Sequence, residues 1–285
     1  MVKKADPSSN KIHSRRREQI VLRMMACVWV AVCLFPIWDL FSVAFTTEDT
    51  NPLRVLMPNS WEAGVSNLKA SLQYANVLRS TLDTFLYTVI AIVGMLLICS
   101  LASYEFSFYH FPFKKPLFSI LMASMMLPMI LYIIPLYRMV FRIGLSDTYL
   151  GIALPVMISP LSVFIMNQFS ESIPISLVES ARIDGAGHFR IYWSIILPLM
   201  RNGLITASVL LFLRSWGSYL WPSLVAANNI QPMSVSITNL LHPNFYVPTR
   251  IKIAAMLLAM APPLTFYIVF QKYVIKGIAM SGVKG

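Results

Sequence analysis

Hydrophobic residues in this chain gather into six long runs, at residues 21–45, 82–104, 116–141, 148–169, 195–220 and 253–273, with polar stretches between them. Each run is near the 20 residues that an α-helix needs to cross a bilayer. The pattern predicts an all-α polytopic membrane protein with six transmembrane helices. Arg23 and Asp39 interrupt the first run. A signal peptide is the competing reading there, because a basic region before an apolar core is its pattern. No small-x-small cleavage site follows and the run is long, so it reads as a retained helix. The third run contains Pro128 and Pro135, which a membrane helix tolerates where neighbours satisfy the freed carbonyls. Trp221-Pro222 closes the fifth.

One polar island, about residues 171–194, differs from an ordinary interhelical loop. Pro174 suits the start of a helix, and a short helix is predicted over residues 175–183. Ile175, Val178 and Arg182 fall near one face of it, with Glu179 beside them. Asp184-Gly185 then breaks the helix: Gly185 can take the left-handed conformation that ends it, and Asp184 can cap the next helix. A second short helix over residues 187–193 would carry Phe189, Tyr192 and Trp193. Two short helices at an angle make a rigid knob, suited to a groove on a soluble partner. Taken as residue types alone, the same stretch is equally a loop of solvated charges.

Composition sharpens the class. The chain is 57% hydrophobic and only 12% charged, against about 25% charged residues in soluble domains, and its mean hydropathy is +0.66. The net charge of +11 is no nucleic-acid footprint, because the basic residues sit at the ends of apolar runs. Of the 23 lysines and arginines, about fifteen fall on one side of a six-crossing scheme and about seven on the other. The positive-inside rule places the island and both termini in the cytoplasm. Residues 1–19, with Lys3, Lys4, Lys11 and Arg15-Arg16-Arg17, read as a mobile basic tail. Residues 20–275 form one transmembrane domain, and residues 276–285 a short basic tail.

Catalytic chemistry finds little support. No Gly-Lys dipeptide is present, so no phosphate-cradling loop for ATP is expected. His13, His110, His188 and His242 are scattered, and Cys27, Cys33 and Cys99 all lie inside apolar runs, which supports neither a metal site nor a disulfide framework. The chain is expected not to be an enzyme and to bind no cofactor or metal. Any ATP hydrolysis belongs to another chain.

The run Glu179-Ser180-Ala181-Arg182-Ile183-Asp184-Gly185-Ala186-Gly187, with Ile196-Leu197-Pro198 after it, resembles the "EAA" loop of the membrane-spanning subunits of bacterial ABC importers. Trp216-Gly217-Ser218-Tyr219-Leu220-Trp221-Pro222 is similar to the fifth-helix signature of carbohydrate-type permeases. Asp147-Thr148-Tyr149-Leu150-Gly151 with Leu154-Pro155 also fits, as does the ending Phe270-Gln271-Lys272-Tyr273 through Ser281-Gly282-Val283-Lys284-Gly285. The chain resembles the smaller permeases of the maltose and sn-glycerol-3-phosphate importer group, over about residues 80–285. It departs from the pattern at Ser180, where alanine is usual, and at Gly217, where asparagine is usual.

The resemblance implies the type I ABC importer permease fold, with a cytoplasmic coupling loop between helices 4 and 5. It implies a carbohydrate or polyol permease of the bacterial cytoplasmic membrane. The implied partners are a second homologous permease, two ATP-binding subunits that use ATP and Mg, an extracytoplasmic solute-binding protein and the lipid bilayer; no nucleic acid is expected. Glu179, Ser180, Ala181, Asp184, Gly185, Ala186 and Gly187 become the ATPase-coupling element. The loop at residues 226–250, with Asn228-Asn229, Pro232 and Asn244, corresponds to the segment that reaches toward the binding protein.

Arg214 adds a candidate from the residues themselves, since an intramembrane arginine is costly and is a functional candidate by default. It can face the solute path and meet an anionic solute, with Trp216 and Tyr219 offering flat faces to a sugar ring. It can equally pair with another helix or snorkel to the interface. A stand-alone secondary transporter for a small polar or anionic solute is the alternative reading, although no internal repeat is visible and only Arg214 lies deep.

Overall fold

The computed structural model describes residues 7–47, 57–74, 76–242 and 246–282, with side chains described from residue 18 to residue 275 within those ranges. Lys3, Lys4, Pro52, Asn244 and Val283-Lys284-Gly285 lie outside the described residues. Every regular element among the described residues is helical. The chain divides into two compact units, one of Met1–Ser71 with Val247–Leu257, the other of Leu72–Tyr246 with Leu258–Gly285.

The first unit contains α1 (Pro7–Ala44) and most of α2 (Trp61–Tyr74). Helix α1 starts at Pro7, so residues 7–19 carry helical backbone where a tail was expected. Its apolar span, Glu18–Ala44, is 27 residues long, and none of its most hydrophobic stretch is buried within the chain. Its end packs within the unit: Val43, Ala44 and Phe45 join Ile253 and Ala254 in a small core. Asn67 on α2 donates to the carbonyls of Ala44 at 2.9 Å and Thr46 at 3.1 Å, satisfying acceptors left open where α1 ends.

The second unit is built on α3 (Val77–Phe108). One face of this apolar helix is buried and largely small or polar: Ser80, Thr84, Tyr87, Ala91, Met95, Cys99 and Ser103 recur every three or four residues. Small and hydroxyl side chains let neighbouring membrane helices approach and hydrogen-bond across the contact. Helix α3 packs there on α6 (Tyr149–Met157), α7 (Pro160–Ser170) and α11 (Arg201–Trp216).

The expected third membrane helix is not continuous. It forms α4 (Lys114–Ser124) and α5 (Ile133–Arg142), with a 3-10 turn at Met129–Leu131 between them. Pro128 is the physical cause: the residue before a proline is steered out of the α region, and Pro128 itself is extended, with φ −61° and ψ 135°. Pro135 sits in the first turn of α5, where its missing N–H costs nothing.

The fourth run is also two pieces, α6 and α7, bent by 49°. Ser159 caps α7 by accepting from the Ser162 N–H, with Pro160 opening the helix. The Cys99 thiol reaches the freed carbonyls of Met157 and Ser159 at 3.5 and 3.6 Å. The fifth run begins earlier than expected and bends by 73° at Met200. It ends at Trp216; Gly217 comes next, and Trp221-Pro222 lies inside a separate helix, α12 (Leu220–Val225). The last segment is one helix, α14 (Thr249–Gly282), preceded by α13 (Met233–Leu241) within the expected loop. Among the described residues, three helices suit a membrane crossing by length and composition, or up to five when each bent pair is taken as one span.

Candidate functional site

The polar island folds as two helices joined by a tight bend. Helix α8 covers Ile175–Ile183 and is preceded by Pro174. Its buried face is Val178 and Ala181, three residues apart and therefore on one side of the helix. Ile175 is half-exposed, so the face expected from Ile175, Val178 and Arg182 is turned toward Ala181 instead. At the end of α8 the Ala186 N–H donates to the Ala181 carbonyl at 2.9 Å and the Gly185 N–H to the Arg182 carbonyl at 3.0 Å. This is the Schellman ending, which needs a left-handed residue after the cap; Gly185 supplies it with φ +80°. Asp184 closes α8 and makes no side-chain cap to the next helix.

The second arm is longer than expected. Extended Gly187 leads into α9 (His188–Ile191), which continues through a π turn at Tyr192–Ile196 into α10 (Leu197–Leu199). The inner side of this arm, Ile191, Tyr192 and Ile196, is buried in the core with Met95, Cys99 and Val178. The outer side is exposed among the described residues: Ile183 is 86%, Phe189 72% and Trp193 53% exposed. The Phe189 and Trp193 rings lie stacked, 6.3 Å between centroids. Glu179, Ser180, Asp184, Gly185 and Gly187 are exposed beside them, Ala186 is partly covered, and Ala181 faces inward. Ala181 is therefore a packing residue, and the substitution at Ser180 lies on the open face.

The end of α3 meets this knob. The Tyr109 ring, just past the helix, stacks on His188 at 4.6 Å and 20°, and the Arg182 guanidinium sits 4.6 Å from the same ring's centroid. Contacts of these two kinds contribute about 0.5–1 kcal/mol each at exposed positions. Tyr104 shares a 2.5 Å hydroxyl contact with Tyr109 and donates to the His188 carbonyl at 3.3 Å. Ser100 pairs with the Tyr192 hydroxyl at 2.7 Å. Nothing in the spacing of Tyr104 or Tyr109 marked them; the only signal was an aromatic cluster after an apolar run.

Elsewhere in the second unit two carboxylates pin the segment after α12. Asp147 accepts from the backbone N–H groups of Ala227, Asn228, Asn229 and Ile230, at 2.9, 3.0, 2.8 and 3.3 Å. Burial raises its pKa, but the four donors outweigh that and hold the carboxyl below the usual range. Asp83 accepts from the Gln231 N–H at 2.8 Å and from the Tyr149 hydroxyl at 2.7 Å. Thr84 accepts from the Met233 N–H, and Arg79 donates to the Asn229 carbonyl, both at 2.8 Å. An aspartate inside an apolar run was the available signal for Asp83.

The three proposed solute contacts separate. Trp216 is buried, lies 5.4 Å from Phe212 and donates from Nε1 to the Ala259 carbonyl at 3.1 Å, so its ring offers no open face. Arg214 and Tyr219 are exposed. Among the described residues, no group of three or more His, Cys, Asp or Glu side chains is placed to hold a metal ion.

Residues 94–280 match the family described as binding-protein-dependent transport system inner membrane component. The chain is 30% identical, over 284 residues, to the sn-glycerol-3-phosphate transport system permease protein UgpE of Yersinia pestis bv. Antiqua, covering 95% of this chain and 99% of that one. The corresponding permease of Agrobacterium fabrum is 30% identical over 279 residues, covering 94% and 98%. In fold the chain is similar to part of a bacterial ABC transporter involved in the import of the acidic polysaccharide alginate, with a TM-score of 0.78 at 23% identity over 95% of this chain and 99% of that one. The chain belongs to the binding-protein-dependent transport system inner membrane components and is a membrane permease subunit of an ABC importer.

Proposed function

We propose that this permease imports a carbohydrate or polyol, with a phosphorylated polyol as the first candidate, and that the α8–α9 knob is where an ATPase subunit drives it. The solute class rests on the similarity to sn-glycerol-3-phosphate permeases. The coupling role rests on the uncovered surface of Ile183, Phe189 and Trp193 beside Glu179 and Asp184. Apolar residues ringed by charge mark protein interaction sites. In this reading the chain crosses the membrane six times, with α4 and α5 together making the third crossing and both termini in the cytoplasm.

A second homologous permease and two ATPase subunits complete the importer. ATP and Mg are used in those subunits, and this chain is not catalytic. The segment after α12, pinned by Asp147 and Asp83, faces the solute-binding protein on the other side. Arg214 and Tyr219 remain exposed groups for an anionic, ring-bearing or polyhydroxy solute.

The test is co-purification of this chain with its partner permease and ATPase, comparing wild type with Glu179→Arg and Gly185→Pro. Proline cannot adopt the left-handed backbone of Gly185. The ATPase is expected to stay with wild type and to be lost or uncoupled in both variants. Solute uptake driven by an ion gradient with no ATPase bound would overturn the reading.

A further inference from the structure

We propose that Tyr109 is a positioning residue that makes the knob and the inner end of α3 move as one body, so that force applied by the ATPase reaches the bundle through α3. This rests on the coupling reading above. The Gly185 bend leaves α8 and α9 as separate arms, and a push on one need not carry the other. Tyr109 touches both: Arg182 from the last turn of α8 lies over its ring, and His188 from the first turn of α9 stacks on it. Each contact is at 4.6 Å, so the ring stands between the arms.

The grip continues inward along α3. Tyr104 ties the Tyr109 hydroxyl to the His188 carbonyl, and Ser100, one turn further in, holds the Tyr192 hydroxyl. Two levels of α3, Tyr104 and Ser100, and Tyr109 just past its end thus hold the end of α8, the start of α9 and the π turn beyond it. The same helix carries Asp83 and Thr84 near its other end, bonded to the segment after α12. Helix α3 spans 32 residues, about 48 Å at 1.5 Å per residue, and connects the two ends of the unit.

The experiment uses the whole importer in lipid vesicles, with Cys27 and Cys33 changed to serine. Spin labels at Ser176→Cys on the knob and Leu97→Cys on α3 report their separation, without nucleotide and with the ATPase trapped by ATP and vanadate. In wild type the separation is expected to stay narrow and unchanged between the two states. In Tyr109→Ala the ATPase is expected to remain bound, while the separation broadens or shifts on trapping. Stimulation of ATP hydrolysis by the binding protein should then fall by roughly threefold to tenfold.

Tyr109→Phe keeps the ring, with its stack on His188 and the guanidinium of Arg182 over its face, and loses the hydroxyl's bonds to Tyr104 and Arg182, so it should restore most of both readouts; a side chain needed merely for folding would not separate them in this way. An ATPase that binds and is stimulated equally in Tyr109→Ala, with an unchanged separation, overturns this inference alone. An ATPase that does not bind wild type overturns the coupling reading, and this inference falls with it.

Discussion

At the scale of single residues, two glycines with different surroundings predict losses of different size and cause. Gly185 has φ +80° and nothing within 4 Å of the position a Cβ would take. Gly185→Ala should therefore cost about 1 kcal/mol of stability, from backbone strain alone. Gly151 has ordinary φ, but a Cβ would lie 2.0 Å from the Leu145 carbonyl oxygen, and backbone cannot step aside cheaply. Gly151→Ala should be the more damaging of the two, and thermal midpoints in detergent check the order. Only the first of these was visible in the residue string, where Asp-Gly after an amphipathic stretch marks a stop.

Asp147 carries the pH argument. Its folded-state pKa is held below the ordinary value, so the unfolded segment takes up a proton before the folded one does. The stability it contributes is present above the usual carboxylate pKa of about 3.9 and is lost as pH falls through the lower folded value. Protection of the amides of Ala227, Asn228, Asn229 and Ile230 against hydrogen exchange should hold from about pH 8 to about pH 5. Asp147→Ala should remove that protection at a cost of about 1–2 kcal/mol, since exposed amides can turn to water. Protection that fades within that pH range would show that the carboxylate is not what holds them.

At the scale of elements, the helices were legible where a stop or start residue agreed with the apolar period. Helix α8 begins after Pro174 and ends at Asp184-Gly185, as the residues demand. The third run misled because hydrophobicity alone does not distinguish one long helix from two short ones around Pro128. The break between α6 and α7 depends on a group from another helix: the Cys99 thiol serves the Met157 and Ser159 carbonyls. Cys99→Ala should destabilise the protein by about 1–2 kcal/mol by leaving these acceptors and a small void. Cys99→Ser, which keeps a donor, should recover most of the loss in the same melting assay.

At the scale of the whole molecule, the apolar span Glu18–Ala44 is 27 residues long, enough to cross a bilayer. The six-crossing arrangement makes a direct prediction for labelling with a membrane-impermeant thiol reagent, in a background with Cys27 and Cys33 changed to serine. Ser176→Cys should react only after cells are permeabilised, and Asn228→Cys should react in intact cells. Reaction of both from one side would break the arrangement.

Much of this protein was determined by its residue string alone. Apolar run length, flanking charge and the Asp-Gly stop are local properties, each set by residues within a few positions of one another, and they settle membrane class, the bend at Gly185 and the family motifs. What only the tertiary structure decided involves residues far apart in the chain. Tyr109 meets residues more than seventy positions away, Asp147 reaches amides about eighty positions on, and Trp216 is buried against Ala259. No periodicity encodes such pairs. They form because packing α3 against α6, α7 and α11 brings polar groups together in an apolar interior, where a partner offsets the cost of burying them.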